Sequence, residues 1–184
     1  MARGKKIQWR ISKDTLTIRG TGDMDNQISI MVLIRGGTMI HLKKVIIEEV
    51  ITFISYGAFE FCRNLTSVEL PIGFREITFR AFSYCTNLGG MIILEGVTSI
   101  GNQAFYGCES MEFLILPETL VSIEDEAFAH CYSLKNVVIP AMVEKIGYRI
   151  FWACENLMKI HYQSGHFLSS YKLPQGNDAE LVRC

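Results

Sequence analysis

The chain has 184 residues, 49% hydrophobic and 20% charged, which supports one packed core and excludes a disordered chain. Its 18 basic and 19 acidic residues give a formal net charge of −1, against the basic surplus that nucleic-acid and anionic-membrane partners call for. Apolar runs such as "ISIMVLI", which ends at Arg35, fall short of a membrane helix, and no apolar stretch of the signal-peptide kind follows the basic opening "MARGKKIQWRISK". Membrane insertion is therefore not expected. A cytoplasmic protein and a mature exported one both remain open.

In chain order, "IQWRISKDTLTIRGTGDM" reads as two short alternating strands, Ile7-Trp9-Ile11 and Leu16-Ile18, with a turn around Lys13-Asp14. Such a hairpin suits a cap over an open end. "GTGD" at 20–23 lacks the following Lys-Ser/Thr and helix of a phosphate-binding loop. Residues 1–41 are accordingly read as an N-terminal β cap and connector.

From residue 42 the sequence becomes periodic. "GAFEFCRNL" at 57–65 returns as "RAFSYCTNL" at 80–88, "QAFYGCESM" at 103–111, "EAFAHCYSL" at 126–134 and "RIFWACENL" at 149–157, a step of 23 residues each time. Each unit has three pieces. The first sets two apolar residues three apart: Ile51 and Ile54, Phe74 and Ile77, Val97 and Ile100, Leu120 and Ile123, Val143 and Ile146. The second supplies Ala, Phe and Cys at the spacing of one inward-facing helical or 3₁₀ turn. The third alternates, as in Val68 and Leu70, Met91 and Ile93, Leu114 and Leu116, Val137 and Ile139, Ile160 and Tyr162. That period reads as a short strand with one buried face. Pro71, Pro117 and Pro140 follow the strand and stop it. Leu42, Val45 and Ile47 stand 23 residues ahead of Leu65, Val68 and Leu70, which adds a leading strand.

No single unit can bury these side chains alone, so the units must stack with their strands in parallel. The expectation is a repeat solenoid over 42–162, with about five full repeats, and a C-terminal cap or tail over 163–184. The wedge of each coil is Phe59 with Cys62, Phe82 with Cys85, Phe105 with Cys108, Phe128 with Cys131, and Phe151 with Cys154. Evenly spaced single cysteines suit buried thiols that act as small apolar side chains, with disulfides or metal as the alternatives. C-x-x-C pairs are absent, and neither metal nor cofactor is expected. Cys184 falls outside the pattern.

Catalytic constellations are hard to find. His130 precedes Cys131, but the repeat points the cysteine inward and the residue before it outward, so a dyad is not expected. Of the other histidines, His161 falls on an exposed strand slot and His166 in the tail. "NLT" at 64–66 has the form of a glycan acceptor, but its Leu65 belongs to the core. "IEDEAF" at 123–128 lies on loop positions without the spacing of a calcium loop. The chain is not expected to be an enzyme.

A surface remains. Between the two buried residues of each strand, Ile46, Glu69, Ile92, Ile115, Val138 and His161 point outward, and two positions earlier so do Lys44, Ser67, Gly90, Phe113, Asn136 and Lys159. Ile92, Ile115 and Val138 then form an apolar row with Phe113 beside it, rimmed by Glu69, Asn136, Lys159 and His161. Contiguous exposed apolar residues mark contact sites. The alternative is plain β-propensity, since Ile and Val stabilise exposed strands without binding anything.

The unit "AFxxCxxLxxIxIPxxVxxI" resembles the BspA-like leucine-rich repeats, and "DTLTIRGTGDM" at 14–24 resembles the cap that precedes such repeats in bacterial surface proteins. The resemblance covers residues 7–162. It departs at Ile150, where Ala is usual, at Met111, where Leu is usual, and at Leu94, where Pro is usual. It implies a right-handed leucine-rich-repeat coil, short parallel strands joined by helical or 3₁₀ turns, and a protein at the cell surface or secreted. It also implies adhesion to host extracellular-matrix or surface proteins. A structural or spacer array that associates with itself is the other reading.

Overall fold

The computed structural model describes residues 7–20, 41–48, 51–162 and 180–183. The rest of "GTGD" after Gly20, "ISIMVLI", His166 and Cys184 lie outside them. In the cap, β1 (Ile7–Ser12) and β2 (Thr15–Gly20) form the expected antiparallel hairpin, with Lys13 at a φ of 55° in the turn. Leu16 and Ile18 are buried, whereas Trp9 is exposed. β2 then pairs in parallel with β3 (Lys44–Ile47), and β3 with β4 (Ser67–Glu69).

Beyond β4 the chain alternates two kinds of strand. Two-residue strands β5 (Glu76–Ile77), β7 (Ser99–Ile100), β9 (Ser122–Ile123) and β11 (Lys145–Ile146) pair in parallel as a ladder of their own. The strands β6 (Gly90–Ile92), β8 (Phe113–Ile115), β10 (Asn136–Ile139) and β12 (Lys159–Tyr162) continue the face begun by β3 and β4. β6 pairs with β8 and β10 with β12, while the ladder is interrupted between β4 and β6 and between β8 and β10. β13 (Glu180–Arg183) adds a further parallel strand against β12. The described residues form a parallel β-solenoid with almost no helix.

One piece of the sequence reading needs correction. The Ala-Phe-Cys segment is a run of single i→i−3 turns of the 3₁₀ kind rather than a continuous helical turn. Its amides alternate between two destinations. Ala58 N–H, Glu60 N–H and Cys62 N–H donate to Ser55 O, Gly57 O and Phe59 O within the coil, at 3.0–3.2 Å. Gly57 N–H, Phe59 N–H and Phe61 N–H donate instead to Phe79 O, Ala81 O and Ser83 O of the next coil, at 2.8–2.9 Å. A helix would satisfy every amide inside its own segment. Here half of them stitch neighbouring coils together, and the backbone reverses at two left-handed positions per repeat. Gly57, Arg80, Gln103, Glu126 and Arg149 have φ of 52–59°, and Phe61, Tyr84, Gly107, His130 and Ala153 have φ of 56–70°. Nonglycine residues hold this conformation where the surroundings over-determine it.

Inside the coils, Phe59, Phe82, Phe105, Phe128 and Phe151 form one column of stacked rings, with centroids 5.3, 5.4, 5.4 and 5.7 Å apart. Ala58, Ala81, Ala104, Ala127 and Ile150 are buried beside them, as are both apolar residues of every first piece. Val68, Leu116 and Tyr162 are only partly buried, packed against the core.

The cysteine column is more than apolar filling. Cys85, Cys108, Cys131 and Cys154 donate their Sγ protons to Phe59 O, Phe82 O, Phe105 O and Phe128 O, at 3.1–3.4 Å. Each thiol thus links its coil to the one before. None of the five forms a disulfide. Burial pushes the Cys62 thiol up to about 12 and raises Cys85, Cys108 and Cys131 as well.

Candidate protein-interaction surface

The strands place the sequence-derived row where the alternation put it. Met91, Leu114, Val137 and Ile160 point into the core, so their neighbours point out. Ile92, Ile115 and Val138 are 53%, 52% and 57% exposed, and Phe113 is 49% exposed. Ile92 is in register with Ile115, and Val138 with His161. The 23-residue step carries the row across the break between β8 and β10.

Phe113 does not stand upright on this face. Its ring lies over Gly90 of the adjacent strand, where a Cβ would come within 2.3 Å of Phe113 Cε1. The bare backbone of Gly90 is what lets a large ring lie flat and extend the apolar patch sideways. Glu69, Asn136 and Lys159 are exposed at its rim and His161 is partly buried. Toward the cap, Lys44 pairs with Glu69, and at the far end Lys159 pairs with Glu180 at 3.6 Å. The patch is thus apolar in the middle and charged at both ends. On the cap, Gln8, Trp9, Arg10, Thr17, Arg19 and Glu48 line a depression of about 580 Å³.

The turn side of the coils carries aromatic residues that the sequence reading missed. Phe61 stacks on Tyr84 at 4.9 Å, Tyr84 meets Tyr106 at 5.3 Å, Tyr106 meets His130 at 4.9 Å, and His130 meets Trp152 at 4.7 Å. The signal is in the sequence, but staggered. The slot before the cysteine holds Phe61, Tyr84 and His130, and where it holds Gly107 or Ala153 the preceding residue, Tyr106 or Trp152, supplies the ring. His130 is therefore not a plain surface histidine. It is partly buried among rings, with Nδ1 2.8 Å from the Tyr132 hydroxyl. Cys131 next to it is fully buried and bonded to Phe105 O, so the two do not face each other as a dyad.

The remaining polar motifs are structural. Glu124 pairs with Lys145 at 2.8 Å, Asp125 accepts from Tyr148 N–H at 2.6 Å, and Glu126 accepts from Gln103 Nε2 at 2.6 Å. In "NLT", Leu65 is fully buried and Thr66 Oγ1 donates to Lys43 O at 3.0 Å. Among the described residues, no three His, Cys, Asp or Glu side chains are grouped to hold a metal, and no helix is long and apolar enough to cross a membrane.

The family model for the BspA type leucine rich repeat region matches residues 38–158 in six copies. The chain belongs to the BspA-type leucine-rich repeat family. Among solved structures, this BspA-type chain is similar to the Treponema pallidum leucine rich repeat protein, at 24% identity and a TM-score of 0.65 over 96% of this chain and 82% of that one. It is similar to a leucine rich cell surface protein of Faecalibacterium prausnitzii, at 21% identity and a TM-score of 0.54 over 88% and 55% of the two chains. It is also similar to the pneumococcal vaccine antigen PcpA, at 15% identity and a TM-score of 0.64 over 88% and 49%. The chain spans about half the length of the latter two. At these identities the likeness is one of fold. A search of curated proteins gave no match. Leucine-rich repeats stack into extended surfaces suited to holding other proteins.

Proposed function

We propose that the protein is a noncatalytic binding module that holds a protein partner on its sheet face, at the cell surface or outside the cell, in the manner of an adhesion protein contacting host or matrix proteins. The observation that carries this reading is the row of Ile92, Phe113, Ile115 and Val138, each about half exposed on three successive strands of one face. Side chains exposed singly need no explanation, but a contiguous patch with a polar rim has the anatomy of an interface. Glu69, Asn136, Lys159 and His161 would orient the partner around it. The family supports a protein-interaction role, and one structural relative is described as a cell surface protein.

The test is capture of host matrix and serum proteins by wild-type protein and by Ile115→Glu, a variant on an exposed strand position that leaves the core intact. Capture by the wild type that is lost in the variant supports the reading. Equal capture by both moves the site elsewhere.

A further inference from the structure

We propose that in the absence of another partner the sheet face is covered by a second copy of the chain, the two related by a twofold axis that runs along the strand direction through β8. The inference rests on the reading of this face as a contact surface and adds the occupant and its register. For a face to pack against itself, the twofold axis must lie in the plane of contact, which leaves two simple orientations.

With the axis along the solenoid, every strand faces its own counterpart. Lys44 then meets Ile46 and Glu180 meets Val182 if the axis runs between the two outward rows, and Glu69 meets Glu69 if it runs along one of them. Charges are left against apolar groups or against like charges.

With the axis along the strands through β8, an outward residue on a strand before β8 meets the residue the same number of strands after it. Ile115 meets Ile115 and Phe113 meets Phe113 on the axis. Ile92 meets Val138, and Ile46 meets Val182. Glu69 meets His161, and Lys44 meets Glu180. The apolar row thus meets the apolar row and the charged ends meet in complementary pairs, as a self-complementary isologous interface requires, while Ser67 meets Lys159 and Asn136 meets Gly90 beneath the Phe113 ring. Moving the axis half a strand spacing toward β10 destroys this match, because Ile92 then faces His161 and Glu69 faces Val182.

Seven strands at ~4.8 Å give a footprint roughly 30 Å long. With two outward residues per strand, the area is about 400 Å² per copy and about 800 Å² in total, below the roughly 1,000 Å² of a stable specific interface and in the range of a transient one. The pairing is therefore reversible and concentration dependent, and a protein partner with a larger footprint displaces it.

The register is tested with variants that add one surface cysteine to a Cys184→Ser background, cross-linked by a short bis-maleimide, alongside sedimentation equilibrium across a wide concentration range. The five repeat thiols are buried and do not compete. Ile115→Cys is expected to cross-link to itself, and Ile92→Cys and Val138→Cys only when mixed with each other. Glu69→Lys is expected to weaken the dimer by roughly tenfold, because symmetry counts each substitution twice, and Glu69→Lys/His161→Glu to restore it. Efficient self-cross-linking of Ile92→Cys overturns the proposal. So does a chain that stays monomeric at every concentration, even if it captures a matrix protein through Ile115, and that result leaves the proposed function standing. A dimer in the expected register without any captured protein supports this inference and removes the foreign partner.

Discussion

The ring of Phe113 lies on Gly90 of the neighbouring strand, and no side chain fits between them. Gly90→Ala should therefore lift the ring off the sheet without touching the core. The expected cost is about 1 kcal/mol, since a flexible exposed side chain must change rotamer and the neighbouring strand must give slightly. In NMR spectra the Gly90 Hα protons should show an upfield ring-current shift that disappears in Phe113→Leu. A Gly90 shift that does not respond to Phe113→Leu would contradict the placement.

Phe105 sits in the middle of the ring column, stacked 5.4 Å from both Phe82 and Phe128. Phe105→Ala removes a fully buried ring and leaves a cavity shared by three coils. The expected loss is roughly 3–5 kcal/mol in denaturant unfolding. A loss below about 1 kcal/mol would contradict the inward assignment of the Ala-Phe segment.

Ser83 is buried, and among the described residues its Oγ has no hydrogen-bond partner. The equivalent slot of the fourth full repeat holds Ala129, also buried. Ser83→Ala should therefore stabilise the protein, by about 1 kcal/mol, because it removes an unsatisfied hydroxyl and keeps the small volume. Thermal or denaturant unfolding measures it, and a destabilised variant would point to an unseen partner for Oγ.

The buried thiols give a pH dependence with a definite sign. Cys62, Cys85, Cys108 and Cys131 have folded pKa values raised above the ordinary 9.0, chiefly by desolvation. Unfolding exposes them, and the unfolded chain loses their protons first as pH rises. The stability they contribute is complete below about pH 9 and declines above it, by up to about 1.4 kcal/mol per pH unit for each thiol. Unfolding midpoints at pH 7, 9 and 10 check this. The same thiols should resist alkylation in the native protein at pH 8 and react once it is unfolded.

Much of the fold was legible because a 23-residue step repeats without insertion. It fixed which of Ala, Phe, Cys, Val and Ile face inward, and the alternation placed Ile92, Ile115 and Val138 on the outside. Other features were not legible, for physical reasons. The Ala-Phe-Cys spacing looks helical within one repeat, but the partners of Gly57 N–H and Phe59 N–H lie in the next coil. Strands of two residues, such as Glu76–Ile77, are too short to show a period. Glu180 pairs opposite Lys159 after a step of 21 rather than 23 residues, so β13 does not fall on the repeat. The aromatic column on the turn side is hidden by the exchange of positions between Tyr106 and Gly107 and between Trp152 and Ala153. The Phe113–Gly90 contact depends on which way one ring falls, which spacing alone does not encode.

Two of the surfaces on which the described residues expose large apolar side chains are the strands, and the turn side with Tyr56, Phe61, Phe79 and Tyr148. The measurement that separates them is a binding titration of captured matrix or serum proteins against wild type, Ile115→Glu and Phe61→Glu, with folding of each variant verified. A sheet-face module predicts at least about a tenfold loss of affinity for Ile115→Glu, from one hot-spot side chain, and little change for Phe61→Glu. Loss in Phe61→Glu with Ile115→Glu unchanged would contradict the account and move the binding surface to the aromatic side.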